Sequence, residues 1–205
     1  WISKVGAALA AGSVLLPLAA APAGAEVRSI EPACSSVSAA GSGFGDVPTS
    51  NPHAQAIACI VEWKVTTGVA PGRYEPAGVV TRGQMASFIG RLSMWTDEAI
   101  PSVPDAFRDD NGSPHEQYIN MLAAAGIVSG RSNGTYGPGE PVSRDQMATF
   151  LVRALEFALA EPIGVEAPDA FVDDEGNAHE RNIDKAADVG LAGGTSAGRF
   201  DPRAH

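Results

Sequence analysis

An all-α fold of tandem helical repeats is what this sequence predicts, and three observations predict it. Blocks of the chain align in register at a spacing of roughly 63 residues. Within each block the apolar residues recur at helical spacing, not in strand alternation. Gly and Pro punctuate the blocks at matching places, where turns and helix ends are needed.

The first block runs from His53-Ala-Gln-Ala-Ile57 through Gly68, Gly72 and Tyr74 to Pro76. In the second, His115-Glu-Gln-Tyr-Ile119 leads to Gly130, Gly134, Tyr136 and Pro138. His179-Glu-Arg-Asn-Ile183, Gly194, Gly198, Phe200 and Pro202 make the third. A Phe-x-Asp triplet precedes each: Phe44-Gly45-Asp46, Phe107-Arg108-Asp109 and Phe171-Val172-Asp173. After the proline, Thr81-Arg82-Gly83-Gln84-Met85-Ala86 recurs as Ser143-Arg144-Asp145-Gln146-Met147-Ala148. The third block stops at His205, so it reads as incomplete, with a Thr/Ser-Arg pair expected two positions further on.

Each element follows in order. The first helix of a repeat is expected over 53–66, 115–125 and 179–189, with Ile57, Ile60, Val61 and Val65, and then Ile119, Leu122 and Ala123, on its apolar face. Gly126 and Gly190 stand where a left-handed C-terminal cap is wanted, while Lys64 at the equivalent place suggests a different ending for the first copy. A turn-rich loop follows, and Tyr74, Tyr136 and Phe200 are expected to plug the core from it. The second helix starts at Thr81 and Ser143, each fitting a capping box with the Gln three residues on, Gln84 and Gln146. Met85, Phe88, Ile89 and Leu92 form its core stripe, repeated by Met147, Phe150, Leu151 and Leu155. One such helix pair cannot bury its own apolar face, so neighbouring repeats must pack together.

The organisation is then a leader over 1–25, a Ser/Ala/Gly-rich lead segment over 26–43, and repeats over 44–95, 107–160 and 171–205. The leader has Lys4 before the apolar stretch Val5 to Ala21 and an Ala23-Gly24-Ala25 processing site, which reads as a secretory signal whose start is missing. No later apolar run has the length of about 20 residues that a spanning helix needs, so no transmembrane segment is expected in the mature chain. A net charge of −10 argues against nucleic-acid partners, which need a basic footprint. Cys34 and Cys59 are the two cysteines, and in an exported chain a disulfide between them is the favoured reading over two free thiols.

Phe-x-Asp, a helix, Gly-x-x-x-Gly-x-Tyr-x-Pro and Thr-Arg-x-Gln-Met-Ala together resemble the S-layer homology (SLH) domain, over residues 44 to 205. The resemblance implies three repeats folded as a pseudo-threefold helical prism. It also implies non-covalent anchoring of an exported protein at the cell wall or cell surface, by binding cell-wall polysaccharide, including pyruvylated secondary polymers. The family's binding arginine maps onto Arg82 and Arg144, and Thr81, Ser143, Gln84 and Gln146 flank it as polymer-binding candidates. A guanidinium at a helix N-terminus suits an anionic sugar carboxylate. Pairing of these arginines with a local acid, Asp46 or Asp109, is the alternative. The family's Ala-Glu is here Gly83-Gln84 and Asp145-Gln146, and an aromatic shortly before the helix-one isoleucine is absent. Trp63 and Trp95 could stack on a sugar or serve as structural tryptophans.

No nucleophile–base, carboxylate-pair or metal-water motif is present, so no enzyme, and no cofactor, is expected. Two rival readings stay open: the targeting part of a larger wall hydrolase or protease, and an envelope protein–protein module. The acidic clusters Asp109, Asp110 and Glu116, and Asp173, Asp174 and Glu180, could hold Ca²⁺. The preferred reading sets them against helix dipoles and assigns no metal. The recurring histidines, His53, His115 and His179, are read as structural hydrogen-bonding groups at helix starts.

Overall fold

The computed structural model describes Cys34, residues 36–93 and residues 103–205. The leader (1–25), most of the lead segment before residue 36, Trp95 and the first part of the linker after it lie outside those residues. The described chain is all-α. It has α1 (Ala54–Glu62), α2 (Arg82–Ser93), α3 (Glu116–Ala124), α4 (Arg144–Leu159) and α5 (Glu180–Asp188), after a 3-10 turn at Ala39–Ser42. Only isolated bridges, such as Thr81 with Pro141, stand in for a sheet among these residues. None of the described helices is long and apolar enough to cross a membrane.

The first helix of each repeat ends in the same way. Gly126 and Gly190 take φ of +72° and +73°, and their N–H groups and those of the next residues return to carbonyls of the last turn. Lys64 does the same at φ +58°, with Lys64 N–H on Val61 O and Val65 N–H on Ile60 O. The expectation of a different ending there is therefore corrected, and α1 stops at Glu62 instead of running to 66. A left-handed conformation costs a residue with a Cβ about 1–2 kcal/mol. Lys64→Gly is accordingly expected to stabilise the chain by about 1 kcal/mol in urea unfolding, part of the gain being lost to the glycine's greater unfolded-state entropy.

Packing joins repeats instead of closing each one. α2 lies against α3, α4 against α5, and α2 also meets α4. The largest core combines Met85, Ala86 and Ile89 of α2 with Ile119 and Leu122 of α3, and with Ile127, Tyr136, Val142 and Phe150. A second core combines Ala148 and Val152 of α4 with Ile183 and Ala186 of α5, Phe171 and Phe200. Side chains match across these helix pairs. Gly90 lets Tyr118 lie directly on α2, where an added Cβ would come within 3.0 Å of the ring. One repeat later Val152 stands at the place of Gly90, buried in the second core, and Asn182 at the place of Tyr118, its Nδ2 donating to Thr149 Oγ1 of α4 (3.1 Å). The core stripe of α2 is shorter than its spacing suggests, because Leu92 is 50% exposed.

The first core is the smallest, with Val47, Ala54 and Ile57 buried and Phe44, Val61 and Tyr74 beside them. α1 packs on the 3-10 turn of the lead segment. Cys34 and Cys59 are bonded to each other, with Cα atoms 5.6 Å apart across a sequence separation of 25. Closing a loop of that length restricts the unfolded chain by about 3.5 kcal/mol on the chain-entropy estimate. Reduction is expected to lower the unfolding midpoint through α1 and the lead segment first, which hydrogen exchange at α1 amides would report.

Candidate functional site

Each Phe-x-Asp triplet clamps the loop of its own repeat. The Phe and loop aromatic rings lie 5.3 Å apart for Phe44 and Tyr74, 5.4 Å for Phe107 and Tyr136, and 5.3 Å for Phe171 and Phe200. The Phe ring also lies over the first loop glycine. A Cβ on Gly68, Gly130 or Gly194 would stand within 3.0 Å of it, which explains why Gly recurs there. The Asp accepts two successive backbone N–H groups. Asp46 takes Tyr74 (2.9 Å) and Glu75 (2.8 Å), Asp109 takes Tyr136 (2.7 Å) and Gly137 (2.8 Å), and Asp173 takes Phe200 (2.7 Å) and Asp201 (3.0 Å). These bonds hold the Asp46 and Asp173 carboxyls below the ordinary value. Desolvation pushes Asp109 up, and its two N–H partners outweigh it, so it too ends low. Asp109 and Asp173 are thus spent on the loops and are not free acids.

The helix-two arginines reach into the next repeat. Arg82 is 7% exposed. Its Nε donates to Tyr136 O (2.9 Å), Nη1 to Gln146 Oε1 (3.2 Å) and Nη2 to Ser129 O (3.3 Å). Its guanidinium lies 4.5 Å from the centre of the Tyr136 ring, and the Tyr136 hydroxyl returns a bond to Arg82 O (3.0 Å). Arg144, half-buried, repeats the pattern on Phe200 O (3.0 Å), Gly193 O (2.9 Å) and the Phe200 ring (4.6 Å). The first N–H groups of these helices are satisfied by the next repeat as well. Arg82 and Gly83 donate to Glu140 O and Pro138 O, and Arg144 and Asp145 to Ala204 O and Pro202 O. These helix starts are joints between repeats, closed by carbonyls. Pairing of the arginines with Asp46 or Asp109, the alternative expected above, is not what their hydrogen bonds show.

The capping residues differ between copies. Thr81 N–H donates to Gln84 Oε1 (2.9 Å) and Gln84 N–H to Thr81 Oγ1 (3.2 Å), a complete box. The box expected at Ser143 does not form. Asp145 sits where the first repeat has Gly83, takes both the Ser143 hydroxyl and the Gln146 N–H, and also accepts Asn177 Nδ2 (3.0 Å). Gln146 is left to receive Arg82.

The histidines also work between repeats. His115 Nδ1 lies 2.8 Å from Ser87 Oγ, and His179 Nδ1 lies 2.8 Å from Thr149 Oγ1, while His53 is exposed. Burial, and then the charge of Arg91, push the His115 imidazole below its ordinary value, so it is neutral at pH 7.

Beside this joint, where the first loop faces α2, a groove of about 400 Å³ is lined by Tyr74, Val80, Gln84, Ser87, Phe88, Arg91 and His115. It is the counterpart of the socket that Arg82 fills in the second repeat. Arg91 is held at its wall by Val65 O (3.2 Å) and the Tyr118 hydroxyl (3.4 Å). Trp63, one of the two tryptophans considered above, is 39% exposed on the far end of α1.

The S-layer homology domain profile matches residues 43–86 and 106–148. The chain carries S-layer homology domains. It is similar to an S-layer protein of Bacillus thuringiensis subsp. finitimus, at 30% identity over 172 residues, 82% of this chain and 20% of that protein. A cell surface protein of Thermoanaerobacter kivui is 31% identical over 120 residues, 56% of this chain and 15% of its own length. An endoglucanase of Bacillus sp. (strain KSM-635) is 31% identical over 114 residues, 56% of this chain and 12% of the enzyme. The chain therefore spans about a fifth or less of the length of these relatives. This kinship assigns the SLH chain to the secreted, cell-surface proteins. Residues 171–205 lie outside the profile match but keep the SLH loop clamp, glycine cradle and arginine joint in the same geometry.

The sequence singles out Arg82, Arg144 and Gln84 but not the hydrogen bonds that they make, and it does not single out Arg91. The signal for Arg91 was its place on α2 one turn beyond Ser87, on the side of the helix that meets His115.

Proposed function

We propose that this SLH chain anchors an exported protein non-covalently to the cell envelope by binding cell-wall polysaccharide, pyruvylated secondary polymers included. The observation that carries the reading is the groove beside α2. Tyr74 and Phe88 offer ring faces to a sugar, Gln84 and Ser87 offer hydrogen bonds, and Arg91 offers a guanidinium to a sugar-borne carboxylate. In this reading Gln84 and Arg91 touch the polymer, while Thr81, Arg82, Ser143, Arg144 and Gln146 hold the repeats that shape the groove. Arg144, half-buried, with two of its nitrogens on the third loop, marks the second place where an acidic sugar could be met.

Co-sedimentation of the chain with purified wall sacculi tests this. Binding is expected to vanish when the non-peptidoglycan polymer is stripped. Loss of a charge-assisted bond is worth about 1.5–3 kcal/mol, so Arg91→Ala is expected to weaken binding by roughly tenfold or more when assayed well below its unfolding midpoint, which should itself fall as the bonds to Val65 O and the Tyr118 hydroxyl are lost. Sedimentation that survives stripping, or an Arg91→Ala chain that binds as before, would remove the groove from the account and favour a protein partner. The endoglucanase kinship supports a second reading that shares the anchoring step: the repeats hold a larger wall hydrolase in place, and a separate domain supplies the chemistry. No catalytic role is proposed for the repeats themselves.

A further inference from the structure

Two carboxylates in the core have no use in anything described so far. Asp110 is 0% exposed and Asp174 1%, and neither oxygen of either side chain has a hydrogen-bond partner. A charge stripped of both water and partners is among the most costly things a fold can bury. The first repeat shows that the position does not require it, because Val47 stands there, packed into the first core.

Other oxygen-bearing residues arrive with the buried Asp and leave with it. The second repeat has Asp105, Glu116 and Asn120 around Asp110; the third has Asp169, Glu180 and Asp184 at the same spacings around Asp174. Where the first repeat has Val47, the corresponding residues are Ser42, Ala54 and Ala58. Hydrogen bonds gather each set from three segments. Asn120 Oδ1 accepts Ala106 N–H (2.9 Å) and Asp184 Oδ1 accepts Ala170 N–H (3.0 Å), which ties the linker acid to the helix. Glu116 Oε2 accepts Gly112 N–H (2.7 Å) and Glu180 Oε2 accepts Gly176 N–H (2.6 Å), which ties the helix start to the loop after the buried Asp.

We propose that Asp110 and Asp174 are Ca²⁺ ligands, each at the centre of an oxygen cage completed by Asp105, Glu116 and Asn120 or by Asp169, Glu180 and Asp184. The donor set is all oxygen, with no nitrogen or sulfur, and is mostly carboxylate, which is the chemistry of a hard, flexibly coordinated cation. Electrostatics agree that something positive is wanted. Burial pushes Asp110 up, with Asp105, Glu116 and Asp109 adding to it. Burial pushes Asp174 up to about 6, with Asp184, Asp169 and Glu180 adding. Among the described residues no three His, Cys, Asp or Glu side chains already stand together at ion-holding distance. Glu116 and Glu180 therefore complete the cage by turning from the glycine N–H groups onto the ion. The clusters differ from the sequence reading in one respect: Asp109 and Asp173 drop out, being occupied by the loops, and the linker acids and second-turn residues take their place.

Equilibrium dialysis of the full chain against Ca²⁺ at neutral pH, after chelator treatment, tests the proposal. Two ions per chain are expected, with dissociation constants in the range of about 10⁻⁴–10⁻³ M found for extracellular modules. Asp110→Val should bind one ion, and the Asp110→Val/Asp174→Val chain none. Valine already serves at this position in the first repeat, so these variants should fold; their unfolding midpoints should no longer respond to Ca²⁺, whereas that of the unaltered chain should rise. Zero ions bound by the unaltered chain, or a count unchanged by the valine substitutions, would overturn the proposal. Equal binding of Mg²⁺ at the same concentration would overturn the assignment to Ca²⁺.

Discussion

Arg82→Ala is expected to destabilise the chain by about 3–4 kcal/mol, read as a fall in the urea midpoint without a change in slope. Three donor bonds disappear, and the carbonyls of Tyr136 and Ser129 lose a charged partner in a place where water cannot fully replace it. The stacking on Tyr136 disappears as well, and such contacts are worth about 0.5–2 kcal/mol. Arg144→Ala is expected to cost about half as much, since Arg144 is half-buried and makes two of these bonds. Arg82→Lys should recover little, because one ammonium cannot address Tyr136 O, Ser129 O and Gln146 Oε1 as a planar fork does. If both alanine variants were as stable as the parent and lost only polymer binding, the arginines would be ligand residues and not joints.

Tyr136→Ala is expected to cost about 4 kcal/mol, the usual toll for emptying a large aromatic from a packed core. Tyr136 is 0% exposed and touches both ends of the joint: its ring receives Phe107 from its own repeat and Arg82 from the preceding one. Tyr136→Phe should cost only about 1 kcal/mol, the net worth of one hydroxyl bond to Arg82 O. Phe200 fills the same place in the third repeat without a hydroxyl, so the milder change has a precedent within the chain. Burial pushes the Tyr136 phenol up to about 12, so this donor stays protonated and the contrast between the two variants should not vary with pH across the neutral range.

The sequence made the repeated unit legible because its most constrained contacts lie inside one copy. Phe107 on Gly130, Asp109 on the Tyr136 and Gly137 N–H groups, and the left-handed turn at Gly126 each need fixed residue types at fixed spacing. Contacts between copies were not legible. A periodic pattern says that Arg82 and Arg144 correspond; it does not say that each belongs to the loop of the following copy. Single-residue differences misled for local reasons. Asp145 diverts Ser143 from its box, Lys64 accepts a conformation that glycine usually takes, and Leu92 falls on a turn that α3 does not cover. Asp110 and Asp174 read as surface acids of a helix start because charge is normally solvated, and only the fold reveals them as core residues.

Because α2 packs with α3 and α4 with α5, the unit that folds is out of phase with the unit that recurs in the sequence. Excising one sequence copy, 107–160, would remove the second half of one core and the first half of the next, leaving α2, fitted at Gly90 to Tyr118, to meet α5, which carries Asn182 at that place. A cut taken from the start of α2 to the start of α4 would instead remove one whole folding unit and bring Val80 onto Ser143 and the joint that α4 makes with the third copy. Gene rearrangements that lengthen or shorten such an array without unfolding it should therefore have their breakpoints just before the second helix, not in the linkers where the alignment places the borders.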